Sequence, residues 1–98
     1  MARYLVERQF SVGQAEMDGV GRRSREILEE RFPGITWEHS HVAIGADGCV
    51  QTFCLYSAPS EDVIRNHARE LGQHEVLRIS EIVGDVTPDD FPSDHDET

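Results

Sequence analysis

The sequence predicts an α+β domain of ferredoxin-like architecture, βαββαβ, in which a four-stranded antiparallel sheet carries two helices on one face. Three observations predict it. Four segments are rich in β-formers, two amphipathic segments at helical spacing follow the first and third of them, and a Gly-rich turn joins the second to the third. This order is the split βαβ arrangement. Right-handed crossovers then place both helices on the same side of the sheet.

Residues 3–10, Arg-Tyr-Leu-Val-Glu-Arg-Gln-Phe, form the first strand, with Tyr4, Val6 and Phe10 on one face and Leu5, Glu7 and Gln9 on the other. Ser11 and Gln14 have capping-box spacing and mark a helix entry. Met17, Val20, Ser24, Ile27, Leu28 and Arg31 then recur at helical spacing, while Arg22, Arg23, Arg25, Glu29 and Glu30 fall on the solvated side. Gly19 and Gly21 weaken the start of this helix, and Pro33-Gly34 ends it. Residues 35–44 read as the second strand, 45–48 as a turn and 49–57 as the third strand. Ser60 caps the second helix, and Glu61 and Asp62 in its first turn complement the helix dipole. Val63, Ile64, His67, Ala68 and Leu71 make its inner stripe, and Gly72 stops it. Residues 76–83 form the fourth strand. The domain is expected to span residues 1–86. Residues 87–98, with Asp89, Asp90, Asp94, Asp96 and Glu97, read as an acidic disordered tail.

A chain of 98 residues holds one domain. Its formal net charge of -10 argues against nucleic acid, which needs a basic face, and against an anionic membrane surface. No apolar run approaches the ~20 residues of a membrane span, and the opening segment is too interrupted by charge for a signal peptide. The two cysteines, Cys49 and Cys54, are too few for a disulfide framework, and their odd separation directs them to opposite faces of a strand. A cytoplasmic protein is expected. With Trp37 and Tyr56 assigned to the open face of the sheet, a homodimer covering that face is expected too.

A turn centred on Ala46 and Asp47 sets His39 opposite Cys54, His41 opposite Thr52 and Trp37 opposite Tyr56. These residues share one face. The other carries Val42, Ile44, Cys49, Phe53 and Leu55, is the more aliphatic, and is therefore assigned to the helices. Imidazole and thiolate are ligands that borderline transition metals prefer. His39 and Cys54 are the leading metal ligands, with His41 beside them and Glu7 or, more weakly, Glu81 adding a carboxylate. Water or a symmetry mate must complete the shell. A one-residue slip of register would separate the pair. Each residue also has a plainer role: His39 as a hydrogen-bonded interface histidine, Cys54 as a small buried hydrophobe, His67 as a core histidine reaching the site only near a sheet edge. Cys49 is read as core, His74 as loop decoration, His95 as solvated. Nucleophilic catalysis by a His/Cys pair lacks a third orienting group and a glycine-rich oxyanion or phosphate loop, so acyl transfer is not expected of it.

The segments Trp37-Glu38-His39-Ser40-His41-Val42, Thr52-Phe53-Cys54-Leu55-Tyr56, Ala58-Pro59-Ser60-Glu61-Asp62-Val63-Ile64-Arg65-Asn66-His67-Ala68 and Tyr4-Leu5-Val6-Glu7-Arg8 resemble a family of small bacterial proteins long catalogued as a domain of unknown function. That family includes a nickel-binding, ferredoxin-like dimer. The resemblance covers nearly the whole chain except the acidic tail. It implies a dimeric α+β sandwich and Ni²⁺ binding, with Glu7, His39, Cys54 and His67 at the matching positions. The chain departs from the pattern in carrying His41 where an aromatic residue is usual, a longer hairpin turn, and Gln73-His74 after Gly72. The expected function is binding of a divalent transition metal, nickel first and zinc or copper as alternatives, for sequestration or homeostasis. Two other readings stand beside it. One is a small-ligand pocket or small enzyme of the dimeric α+β barrel type, which an enclosed pocket lined by Trp37 and Tyr56 would favour. The other is an interaction module without a ligand.

Overall fold

The computed structural model describes residues 1–91. Strand β1 (Ala2–Phe10) leads through a 3-10 turn, Gln14–Glu16, into helix α1 (Met17–Arg31); β2 (Thr36–Ile44) and β3 (Val50–Ala58) form a hairpin; α2 (Glu61–Leu71) and β4 (His74–Ile82) complete the domain. The strand order is β2-β3-β1-β4, with every neighbouring pair antiparallel. The α+β, ferredoxin-like architecture is present, with both helices on one face.

Alternation along the two central strands shows which face that is. Tyr4, Val6, Arg8 and Phe10 on β1, and Val50, Thr52, Cys54, Tyr56 and Ala58 on β3, are buried, whereas the residues between them are half-buried. The helices therefore cover the side carrying Thr52, Cys54 and Tyr56; the face assignment made from the sequence is reversed for β3 and Trp37 and holds for Val42 and Ile44, which pair with Thr52 and Val50. Trp37 and Tyr56 do not lie on the open face. Phe53 and Leu55 mislead here: one step of register takes them off the row of Val42 and Ile44, which keep the helix side but, on the edge strand β2, stay 55% and 53% exposed. The core is built instead on the central strands.

The hairpin register differs as well. Trp37 pairs with Tyr56 as expected, but a bulge follows, and beyond it His39 pairs with Leu55, Ser40 with Cys54, His41 with Phe53 and Val42 with Thr52. The extra residue is Glu38. Its carboxylate accepts from Nε and Nη2 of Arg3, both at 3.0 Å, and from the Ser57 hydroxyl at 2.9 Å. A bulge moves everything after it by one position, and with period-two alternation one position exchanges the faces.

Helix α1 buries Val20, Ser24 and Leu28, as the spacing predicts. The capping box at Ser11 does not form. Ser11 instead donates its backbone N–H and hydroxyl to the Gln73 carbonyl, at 3.0 and 3.1 Å. Arg23, expected to be solvated, reaches across to the end of α2 and donates to the Leu71 carbonyl and the Gln73 side chain. Helix α2 follows the sequence closely. The Ser60 hydroxyl accepts from the Val63 N–H, Ile64, His67, Ala68 and Leu71 are buried, and Gly72 takes a left-handed φ of 67°. Strand β4 begins two residues earlier than predicted, because His74 stacks on Phe10 with ring centroids 4.9 Å apart. Cys49 is half-buried in the hairpin turn rather than in the core. Thr87 and Asp90 form a capping box over a 3-10 turn, Pro88–Asp90, so the acidic segment begins with a capped turn. The rest of that expected tail, His95 included, lies outside the described residues.

Replacing the cap, Ser60→Ala, is expected to lower stability by about 1 kcal/mol in urea denaturation. Arg22→Ala, which breaks only the solvent-exposed pair with Asp18, is expected to leave the midpoint unchanged.

Candidate functional site

The five candidate metal ligands fall on two sides of the sheet. His39, His41 and Glu7 are on the open side. The two imidazoles are exposed, project from alternate positions of β2, and stand with ring centroids 5.1 Å apart at an interplanar angle of 86°. Glu7 is half-buried on β1, opposite Phe53, with its carboxylate 3.9 Å from Arg78 Nε. Phe53 on β3 separates Glu7 from His41, since it pairs with both. Glu81, across from Tyr4 on β4, belongs to the other side and is exposed.

Cys54 and His67 are on the helix side and buried, at 3% and 0% exposure. The expected opposition of His39 and Cys54 is therefore corrected: the Glu38 bulge gives His39 Leu55 as its neighbour and puts the sheet between imidazole and thiol. The remoteness expected for His67 is corrected too, because His67 shares its layer with Cys54. His67 Nε2 lies 3.2 Å from the Ser24 hydroxyl, and its ring meets Tyr56 and Phe32 edge-on at 6.2 and 5.9 Å. Cys54 Sγ donates to the Thr52 hydroxyl at 3.5 Å.

Sequence reasoning missed Arg8. It is 2% exposed and donates from Nη1 to the Tyr56 hydroxyl at 2.9 Å and, more loosely, to Cys54 Sγ at 3.8 Å. The signal was available: Arg8 occupies the period-two position between Val6 and Phe10 on the core-facing row. Burial, and to a lesser degree the Arg8 charge, lowers His67 to about 4, so it is neutral at physiological pH. Burial also raises the Tyr56 hydroxyl, which stays protonated.

Donor type and donor number give different answers for a metal. The His39/His41 pair is chemically suited to nickel, zinc or copper, and its spacing on one strand lets both rings turn toward one ion. Among the described residues, no group of three or more His, Cys, Asp or Glu side chains converges. One chain thus presents, among the described residues, two donors of a shell and no closed centre.

A family model described as nickel responsive protein SCO4226-like matches residues 4–82. The chain belongs to the SCO4226-like family. The matched span runs from the start of β1 to the end of β4 and includes Glu7, His39, His41, Cys54 and His67. This agrees with the resemblance found in the sequence. No curated protein matches the chain. Among the described residues no helix is long and apolar enough to cross a membrane.

His67 gives the fold a pH dependence of definite sign. Between pH 6.5, its ordinary value, and about 4 the unfolded chain binds a proton that the folded one refuses. Stability is therefore full above 6.5 and falls as pH drops toward 4, by an amount on the order of 3 kcal/mol. Half-buried His74 is lowered by burial as well and adds the same sign. Urea denaturation at pH 7 and pH 5 is expected to show the loss, and His67→Gln to reduce it.

Proposed function

We propose that the protein binds a divalent transition metal, nickel by its family, through His39 and His41 on the open face of the sheet. The observation that carries this is the paired geometry of the two imidazoles. They stand on one side of a paired strand, 5.1 Å apart between ring centroids and exposed. Metal–nitrogen bonds of about 2 Å let two such rings share one ion. Membership of a family described as nickel responsive supports nickel among the borderline ions. Cys54 and His67 are not ligands in this reading, because they face the helices.

The remaining coordination positions fall to water or to a second copy. Packing two open faces together would cover half-buried Leu5, Phe53 and Leu55 and bring two His39/His41 pairs and two Glu7 carboxylates into one interface. A site of this kind holds an ion without turning anything over, which suits sequestration or homeostasis. A small-ligand reading is favoured by a separate observation, the cavity lined by Trp37 and Tyr56 on the helix side.

Calorimetric titration of Ni²⁺ is expected to give saturable binding that His39→Ala or His41→Ala weakens by about tenfold or more, while Cys54→Ser leaves it intact. Affinity is expected to fall with falling pH, since imidazole must be deprotonated to bind. Binding insensitive to both histidines, or lost only in Cys54→Ser, contradicts the proposal.

A further inference from the structure

Every side chain that is both polar and buried among the described residues lies in one layer: Arg8, Ser24, Thr52 and His67. Each comes from a different element, β1, α1, β3 and α2, and each interrupts an apolar row of that element. Arg8 follows Val6 and precedes Phe10; Ser24 sits between Val20 and Leu28; His67 sits between Ile64 and Leu71. The layer separates the core into two apolar clusters, one around Val6, Tyr56 and Ile64 and the other around Phe10, Val20 and Leu71. A cavity of about 220 Å³ reaches this layer, with Arg8, Ser24 and Thr52 on its polar side and Phe10, Val20 and Trp37 on its apolar side. Trp37 and Val42, 36% and 55% exposed, mark its mouth at the β2 edge.

The cation in this layer has no carboxylate. Arg8 belongs to none of the ion pairs among the described residues. Its Nη1 is used by Tyr56, but Nε and Nη2 have no hydrogen-bond partner. These two N–H groups form one edge of the guanidinium, the edge with which Arg3 grips both oxygens of Glu38. Each has almost no accessible surface, so a ligand reaches them from the cavity once a side chain of its wall shifts. A buried, uncompensated charge is costly, and a planar two-donor fork is complementary to a carboxylate. The larger groove along α1, about 600 Å³, offers nothing comparable, because its charged residues Arg25 and Glu29 face solvent and pair with each other.

We propose that this cavity binds a small amphipathic carboxylate, with its head on Nε and Nη2 of Arg8 and its apolar body against Phe10, Val20 and Trp37. The site is independent of the nickel reading, being on the opposite side of the sheet. At about 30 Å³ per molecule of liquid water, the cavity accommodates on the order of seven non-hydrogen atoms. That is the size of a short-chain acid and, since covalently bonded atoms pack closer than water molecules, of a small single-ring acid.

Butyrate and benzoate are the probes, with benzamide as the uncharged counterpart of benzoate, in buffer containing EDTA so that no bound metal reports the carboxylate. Thermal unfolding and calorimetry are expected to show saturable stabilisation by at least one acid and none by benzamide. Arg8→Met is expected to lose at least about tenfold in affinity. Gly21→Leu provides a second test that keeps Arg8. Gly21 lines the cavity and an added Cβ there meets nothing within 4 Å, so a leucine at this position is expected to be accommodated and to take up part of the space. It too is expected to lose the acid-dependent shift. The proposal is overturned if neither acid binds the wild type, if benzamide binds as well as benzoate, or if a folded Arg8→Met or Gly21→Leu binds as the wild type does.

Discussion

Between Trp37 and His39, β2 carries one residue more than the facing stretch of β3, and Glu38 takes up the difference. Its carboxylate is gripped by both donors of one Arg3 edge and by Ser57, while Arg3 also reaches Asp85 at 2.6 Å. This contact fixes where the strand slips. Upstream of it Trp37 turns toward the helices; downstream His39 and His41 turn away from them, and Ser40 and Val42 take the helix side. With a regular ladder the two histidines would lie in the same layer as Cys54. The bulge instead gives the protein two chemically different faces, an exposed imidazole pair on one and a buried polar layer on the other.

The buried layer constrains the fold in its own way. A domain of this size has little apolar surface to spend, yet it places a polar side chain from each of four elements at the same level of its core. Ser24 and His67 satisfy each other in part, and Tyr56 and Cys54 occupy one side of Arg8. What is left unpartnered is His67 Nδ1 together with Nε and Nη2 of Arg8. The Arg8 charge also helps hold His67 neutral, so the two groups at the centre of the core differ in charge at neutral pH. Such a layer lowers stability relative to an apolar core, and a recognition role on that side of the sheet accounts for its presence.

The fold was legible because it rests on local signals. The period-two rows of β1 and β3, the helical stripe of α2, Ser60 at its start and Gly72 at its end all read directly from residue types. The candidate site was less so. Residue composition located the histidines and cysteine on the central hairpin, but their relation depended on a bulge set by Arg3, a residue distant in the chain from Glu38. Face assignment failed on β3 for the same reason: the register step puts Val42 and Ile44 in one row with Thr52 and Val50 rather than with Phe53 and Leu55. Arg8 illustrates the opposite case, where a charged residue in a core-facing row was visible and its position was the clue. The edge of α1 shows a smaller instance, since Ser11 has capping-box spacing but is drawn off by the Gln73 carbonyl.

X-ray absorption at the nickel edge of the loaded protein tests the two-sided arrangement most directly. With His39 and His41 on the face opposite Cys54, the first shell is predicted to contain nitrogen and oxygen donors, imidazole among them, and no sulfur. A nickel–sulfur shell that persists in Cys49→Ser and is lost in Cys54→Ser would put Cys54 at the metal and contradict the register observed beyond Glu38.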